Sequence, residues 1–261
     1  MGFIRSAIAL LVLLGAVGFG ALFATNSFAQ GSVNKHTRVD AGGALDSNAS
    51  SVNGGLTVGD NGTAKDFSTV NGSIRLGNGA TAGNLDTVNG SIEAGDGAAV
   101  TGIETVNGAI TFGKDAKVGG SIEAVNGAVS LGTGAQVSGS VSTVNGAVKV
   151  KGGSTVAAAL KSVNGAITVE GPGTTVGSVE NSAGDVTIEG ATVLGDVTLE
   201  KSKRGGGLFG SKKPRRDTVV LGPGTVIKGN LVVRRPVKLE QAEGAVVEGE
   251  IIGLEREPAA E

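Results

Sequence analysis

The sequence predicts an all-β fold: a single-stranded parallel β-helix, or triangular β-solenoid, with 18–19 residues per coil and about 9–11 coils. Three observations predict it. A tripeptide recurs at near-constant spacing, short apolar runs alternate with period two, and glycine recurs at fixed offsets between those runs. One basic loop insertion interrupts the pattern near the C-terminus.

The recurring tripeptide is Val-Asn-Gly, and its seven copies are 18, 18, 18, 19, 19 and 19 residues apart. Stacked parallel strands bring equivalent side chains directly above one another, and asparagine amides in that position bond from strand to strand. We therefore expect a structural Asn ladder along one corner. Its predicted members are Asn53, Asn71, Asn89, Asn107, Asn126, Asn145 and Asn164.

Each repeat predicts three short strands. In the first, Ile74 and Leu76 flank Arg75, the alternation of a strand with one buried face. The third ends on the valine before each Asn-Gly, and many of the 47 glycines fall at the bends between strands. The second strand carries Ala82, Val100, Val118 or Val137.

The chain divides into six predicted segments. In order, they are a secretory signal peptide (1–29), a polar lead or N-terminal cap (30–50), the Val-Asn-Gly solenoid (51–200), a basic Gly-rich insertion loop (201–217), C-terminal solenoid coils (218–253) and a polar tail (254–261). The polar, Gly-rich residues 30–50 are either a flexible lead or a poorly patterned first coil.

The first 29 residues have the layout of an export signal, with Arg5 before an apolar stretch and the small-residue exit Ser27-Phe28-Ala29. We expect cleavage after Ala29 and a mature protein in the periplasm, the cell envelope or outside the cell. The alternative is an uncleaved membrane anchor, since the apolar run approaches the about 18 residues of a spanning helix.

The composition excludes several kinds of site. With no Cys and one His, the chain cannot form a disulfide, a thiolate zinc site or a histidine metal cluster, and only 3% of its residues are aromatic. His36 is the general base that a hexapeptide-type acyltransferase would need, but we place it in the polar lead as a solvated side chain. We expect no catalytic residue, no cofactor and no metal.

A second column follows from the repeat, because one residue in every coil stands three places before the ladder asparagine. Stacking separates its members by about 4.8 Å, which could make an acidic stripe, a weak cation site or a glycosidase-like carboxylate pair. We favour a solvated face. The column contains Ser68, Asp86, Glu104, Glu123, Ser142, Lys161 and Glu180.

The insertion carries seven basic and no acidic side chains between residues 201 and 216. Such a loop, with an apolar centre at Phe209, can contact an anionic membrane or envelope polymer, and the alternative is a solvated excursion from the rod. We expect no nucleic-acid partner. The predicted contact residues are Lys201, Lys203, Arg204, Phe209, Lys212, Lys213, Arg215 and Arg216.

The Val-Asn-Gly coils and the segment VVLGPGTVIKGNLVV resemble the bactofilin class of polymer-forming β-solenoids, and the repeats also resemble exported adhesin-like β-solenoids of bacterial envelopes. The bactofilin resemblance implies a right-handed helix and end-to-end polymerisation without nucleotide. Bactofilins are cytoplasmic, whereas this chain begins with an export signal. The six-residue steps from Leu76 to Ala82 and Val88 also suit a left-handed helix.

The function we expect is a non-enzymatic scaffold of the bacterial cell envelope that self-associates end to end through its terminal coils. The second hypothesis is an exported adhesin-like or ligand-binding rod. An enzyme, either a hexapeptide-type acyltransferase or a polysaccharide-active β-helix, ranks behind both.

Overall fold

The computed structural model describes residues 30–201 and 216–254, and within them the chain forms thirty strands and no helix. The first fifteen are β1 (Gln30–Ser32), β2 (Thr37–Val39), β3 (Ala44–Leu45), β4 (Ala49–Ser51), β5 (Leu56–Val58), β6 (Thr63–Ala64), β7 (Phe67–Thr69), β8 (Ile74–Leu76), β9 (Thr81–Asn89), β10 (Ile92–Ala94), β11 (Ala99–Asn107), β12 (Ile110–Phe112), β13 (Lys117–Val118), β14 (Ile122–Asn126) and β15 (Val129–Leu131). The remaining strands are β16 (Gln136–Val137), β17 (Val141–Thr143), β18 (Val148–Val150), β19 (Thr155–Ser162), β20 (Ile167–Glu170), β21 (Thr175–Asn181), β22 (Val186–Glu189), β23 (Thr192–Val193), β24 (Val197–Leu199), β25 (Asp217–Leu221), β26 (Val226–Ile227), β27 (Leu231–Val233), β28 (Val237–Gln241), β29 (Val246–Val247) and β30 (Ile251–Ile252).

One sheet contains a single strand from every coil and therefore counts the coils. It has eleven parallel strands, running from β2 through β5, β8, β10, β12, β15, β18, β20, β22 and β25 to β28. The other nineteen strands cover the remaining two sides, and the long strands β9 and β11 pass from one side to the other. The predicted all-β solenoid is confirmed, with eleven coils; its handedness stays a prediction.

The coils stack in register, so the core consists of columns of aliphatic side chains. Ile92 lies between Ile74 and Ile110 on the neighbouring coils, and all three are fully buried. Arg75, between buried Ile74 and Leu76, points outward, as the alternation predicts. Each coil alone buries too few side chains to be stable, and the stack supplies the rest.

Two glycines illustrate why this fold needs so many. At Gly108, a Cβ would lie 1.9 Å from the carbonyl oxygen of Gly90 on the preceding coil, so only glycine permits the close stacking beside the ladder. At Gly97 there is open space, but φ is +66°, a left-handed conformation that glycine adopts without strain. Glycine thus serves both close packing and tight bending at the corners.

For residues 30–50 the sequence left two readings, a polar lead and a poorly patterned first coil, and the structure shows the coil: it is made of β2, β3 and β4, and β1 stacks on β4 as the last strand of an incomplete turn. Their strands β1, β2, β3 and β4 all pair in parallel with the solenoid. His36 consequently lies within that coil, just before β2, and its Nε2 is 2.9 Å from the hydroxyl of Thr57. The coil pattern is faint in this part of the sequence because, among its described side chains, Val39 is the one buried aliphatic residue, and Leu45 and Ala49 are only partly buried.

The basic insertion leaves the solenoid between β24 and β25 without breaking the stack. Val186 of β22 pairs directly with Val219 of β25, and two coils follow, β25–β27 and β28–β30. Most of the insertion, 202–215, lies outside the described residues, as do the predicted signal peptide (1–29) and residues 255–261 of the tail. In the two described segments, the chain provides no helix with the length and hydropathy to cross a membrane.

Candidate functional site

The Asn ladder runs along one corner of the solenoid. Each side-chain amide donates from Nδ2 to Oδ1 of the ladder asparagine on the preceding coil, at distances of 2.8–3.0 Å. The ladder begins one rung earlier than we predicted, because Asn53 donates to Asn34 at 2.9 Å. It ends at Asn164, since Ala183 takes the equivalent place in the degenerate eighth unit. Its amides are mutually satisfied, which indicates a structural role.

A second ladder, inside the same corner, was missed in the sequence. Buried Ser and Thr hydroxyls two places before the ladder asparagine donate to backbone carbonyls of the preceding coil. Five of the acceptors are glycines, as in the 2.7 Å bond from Thr69 to Gly54, and the acceptor of Ser51 is Lys35. The bonds matter because a buried carbonyl without a partner is destabilising. Ala124 interrupts the column. The donors are Ser51, Thr69, Thr87, Thr105, Thr143 and Ser162.

The predicted acidic column exists and borders a cavity of about 420 Å³. Asp86, Glu104 and Glu123 stack in register on three successive coils. The cavity lies where β9 and β11 pass from one side of the solenoid to the other, and Gly102 and Gly120, which have no side chains, are part of its lining. We call these three carboxylates and this cavity the acidic groove.

Electrostatics distinguish the groove from the solvated face that we predicted. Burial raises the pKa of Asp86 to about 6, the negative charge of Glu104 adds to the rise, and a hydrogen bond from Ser68 opposes it. Burial and the same Glu104 charge also raise the pKa of Glu123. Further along the column, Ser142 is 1% exposed and its hydroxyl has no hydrogen-bond partner among the described residues. The column is therefore partly desolvated rather than uniformly hydrated.

The remaining members of the column form an ion pair, since Lys161 and Glu180 are 2.7 Å apart at Nζ and Oε2. Within this column, the three carboxylates of the acidic groove are the groups that could exchange a proton or attract a cation. Over the described residues, no group of three or more His, Asp or Glu side chains could hold a metal ion.

Of the eight residues predicted to contact an anionic surface, the structure describes Lys201 and Arg216. The other six, Lys203, Arg204, Phe209, Lys212, Lys213 and Arg215, lie outside the described residues. Lys201 and Arg216 meet at a second cavity, together with Arg234 and Arg235, which sequence reasoning missed. The sequence feature that could have indicated these two arginines is Arg-Arg-Pro directly after β27, at the bend between two strands of the solenoid.

Comparison with known proteins adds no family. No protein-family model matches the chain, and neither the curated proteins nor the solved structures contain a significant match. The structure therefore supports the solenoid class alone, and the bactofilin and adhesin resemblances stay predictions.

Proposed function

We propose that this protein is a non-enzymatic structural rod of the bacterial cell envelope, exported by its N-terminal signal, which self-associates end to end. It needs no cofactor. The observation that carries the proposal is the state of the last coil, where Val246, Ile251 and Ile252 are 42–46% exposed. Exposed apolar residues on an open strand edge favour pairing with another chain.

The proposed occupant of that edge is the first coil of a second copy. In the described part of the chain, β28, β29 and β30 each pair on one side only, and so do β2, β3 and β1 at the other end. The two sets occupy the same three positions of a coil. A second copy can thus continue all three sides of the solenoid, satisfying backbone groups that otherwise face water.

Electron microscopy and light scattering over a range of protein concentrations test the self-association. We expect rods that lengthen with concentration, and Ile251→Lys should prevent their growth because it places a charge on the stacking edge. Leu194→Lys is the matched control, since Leu194 is 50% exposed on the side of the rod. A protein that stays monomeric at every concentration, or equal effects of the two variants, would contradict the proposal.

The basic insertion supports a further part of the proposal, contact with an anionic membrane or envelope polymer. The insertion has seven positive charges, whereas the whole chain has a formal net charge of −2, so positive charge is concentrated in this one segment. Local charge of this kind attracts anionic surfaces in a salt-dependent way.

The second candidate function is an exported, adhesin-like or ligand-binding rod. The eleven-stranded face favours it, because its outward places carry polar side chains, short ones such as Thr57 and Thr111 and charged ones such as Arg75. A continuous polar face along the rod suits an extended ligand. Monomers that bind cells or glycans would favour this candidate over the scaffold.

A further inference from the structure

The winding of the chain determines how two copies can join end to end. Each coil runs in the same order, from the eleven-stranded face to a second side and then to a third, as β2, β3 and β4 do in the first coil and β28, β29 and β30 in the last. The strand that follows β30 in an unbroken spiral therefore lies on the eleven-stranded face. In a second copy, β2 is the first strand on that face.

The strand β1 blocks this continuation. It comes before β2 in the chain and pairs with β4, so it lies on the third side of the solenoid, the side of β30. When β2 of the second copy follows β30, both β30 and the second copy's β1 would occupy the same place, beside β4 of the second copy. If β1 keeps that place and β30 pairs with β1 instead, the other two sides are each one strand short at the junction.

Residue types at this place favour β30 over β1. The register puts Gln30 of β1 next to Ala49, at the end of a column that continues with the fully buried Phe67. In the same column of the last coil, β30 has Ile251, which pairs with Leu231 and is 42% exposed. Covering an exposed isoleucine with a neighbouring coil is favourable, because apolar surface is removed from water.

The second side fits the same arrangement. There β29 would pair with β3 of the next copy, which places Val247 next to Leu45. Both side chains are only partly buried at the two ends of the core. The junction would therefore join the two ends of one apolar column and cover both.

We propose that β30 of one copy docks on β4 of the next copy by displacing β1, which covers this edge until a second copy arrives. The proposal rests on the end-to-end self-association of the proposed function and specifies the surface that receives the second copy. Displacement breaks one strand pairing, β1 with β4, and forms three, β28 with β2, β29 with β3 and β30 with β4. Stacking on β1 forms only the pairing of β30 with β1, so displacement satisfies more backbone groups at the junction.

Pairs of cysteines distinguish the two arrangements, in a chain that has no cysteine of its own. Displacement brings Ile252 of one copy next to Ser50 of the next, whereas stacking on β1 brings it next to Gly31. Neighbouring strands lie about 4.8 Å apart, a separation that a disulfide can bridge. After oxidation with copper phenanthroline, we expect Ser50→Cys/Ile252→Cys to give a ladder of covalent multimers on a non-reducing gel, and Gly31→Cys/Ile252→Cys to give none.

The matched control for these pairs is Ser50→Cys/Leu194→Cys, because Leu194 is 50% exposed on the side of the rod and reports random collisions. A ladder from the Gly31 pair above this control overturns displacement and leaves the end-to-end rod in place. If neither pair exceeds the control, the end-to-end junction itself is overturned, and the proposed self-association with it.

A locked strand provides an independent test. In Gly31→Cys/Ser50→Cys, a disulfide ties β1 to β4 of the same chain. We expect no rods by electron microscopy while this disulfide is intact, and rods after its reduction. Thr198→Cys/Val232→Cys is the matched control, since it links two neighbouring coils on the same side inside the rod and should assemble in both states. Rods that grow while β1 is locked overturn displacement.

Discussion

Asp86 shows what stacking does to a single side chain. Its carboxylate lies between two neighbouring coils, beside Glu104, and its pKa rises from 3.8 to about 6. An acid whose folded pKa exceeds its unfolded pKa binds more protons when folded, so protonation favours the folded state. Stability from this group is fully present below about pH 4 and is lost as the pH rises through about 6.

The first prediction is that Asp86→Asn stabilises the protein at pH 7.5 by about 1–2 kcal/mol, after discounting for solvent screening. The same variant should have little effect at pH 4, where Asp86 is already neutral. Urea unfolding at the two pH values measures the difference. Asp46→Asn, at an exposed carboxylate of the first coil, is the control, and a pH dependence as large in Asp86→Asn as in the wild type would refute the assignment.

Among the elements, the Asn ladder has interior and terminal rungs that differ in a measurable way. Asn107 donates to Asn89 and accepts from Asn126, so Asn107→Ala removes two hydrogen bonds. Asn164 donates to Asn145 at the end of the ladder, so Asn164→Ala removes one ladder bond. We expect the interior substitution to cost about 1–2 kcal/mol and the terminal one about half as much.

Calorimetry of Asn107→Ala and Asn164→Ala measures this difference in stability, because a loss of 1 kcal/mol lowers Tm by about 2–4 °C in a protein of this size. A terminal substitution that lowers Tm as much as the interior one would show that the ladder is not energetically continuous. No shift in either variant would show that solvent replaces these exposed amide bonds at no cost.

The elements also show which features the sequence could predict. The near-constant spacing of 18–19 residues predicted that Asn53 to Asn164 lie in one column, because a repeat of nearly fixed length stacks equivalent residues on successive coils. The spacing could not place His36, whose coil lacks the Val-Asn-Gly repeat, and it did not reveal the burial of Asp86, which depends on how neighbouring coils pack around that carboxylate. Arg235 was missed because its partner Asp217 lies across the insertion boundary from the repeat. The length of the repeat predicts which side chains stack in columns, whereas cavities form where individual coils depart from the repeat.

At the scale of the whole molecule, each coil contacts only its neighbours, so removal of one complete coil should preserve the fold. Deleting residues 146–164 joins Asn145 to Gly165 and keeps the Val-Asn-Gly sequence and the register of every column. We expect a folded, slightly less stable rod, because repeat proteins lose one coil and one interface by such a deletion. Deleting residues 146–155 is the control, since it leaves half a coil and brings unlike columns together.

Circular dichroism and thermal unfolding compare the two deletions. Cooperative unfolding of the 146–164 deletion at a somewhat lower temperature is the expected result, together with loss of cooperative folding in the 146–155 deletion. If both deletion variants unfold cooperatively at similar temperatures, the alignment of equivalent residues between coils does not determine the stability of the stack.

The direction of the inter-coil hydrogen bonds has a mechanical consequence. These bonds run along the axis of the rod, from the first coil to the eleventh, while the polypeptide itself winds across that axis. Tension applied at the two ends therefore opens the stack coil by coil. A coil adds about 4.8 Å to the length of the rod, but its 19 released residues can extend to about 65 Å. Under load, each released coil becomes more than tenfold longer than it was in the stack, so the rod extends in steps of one coil.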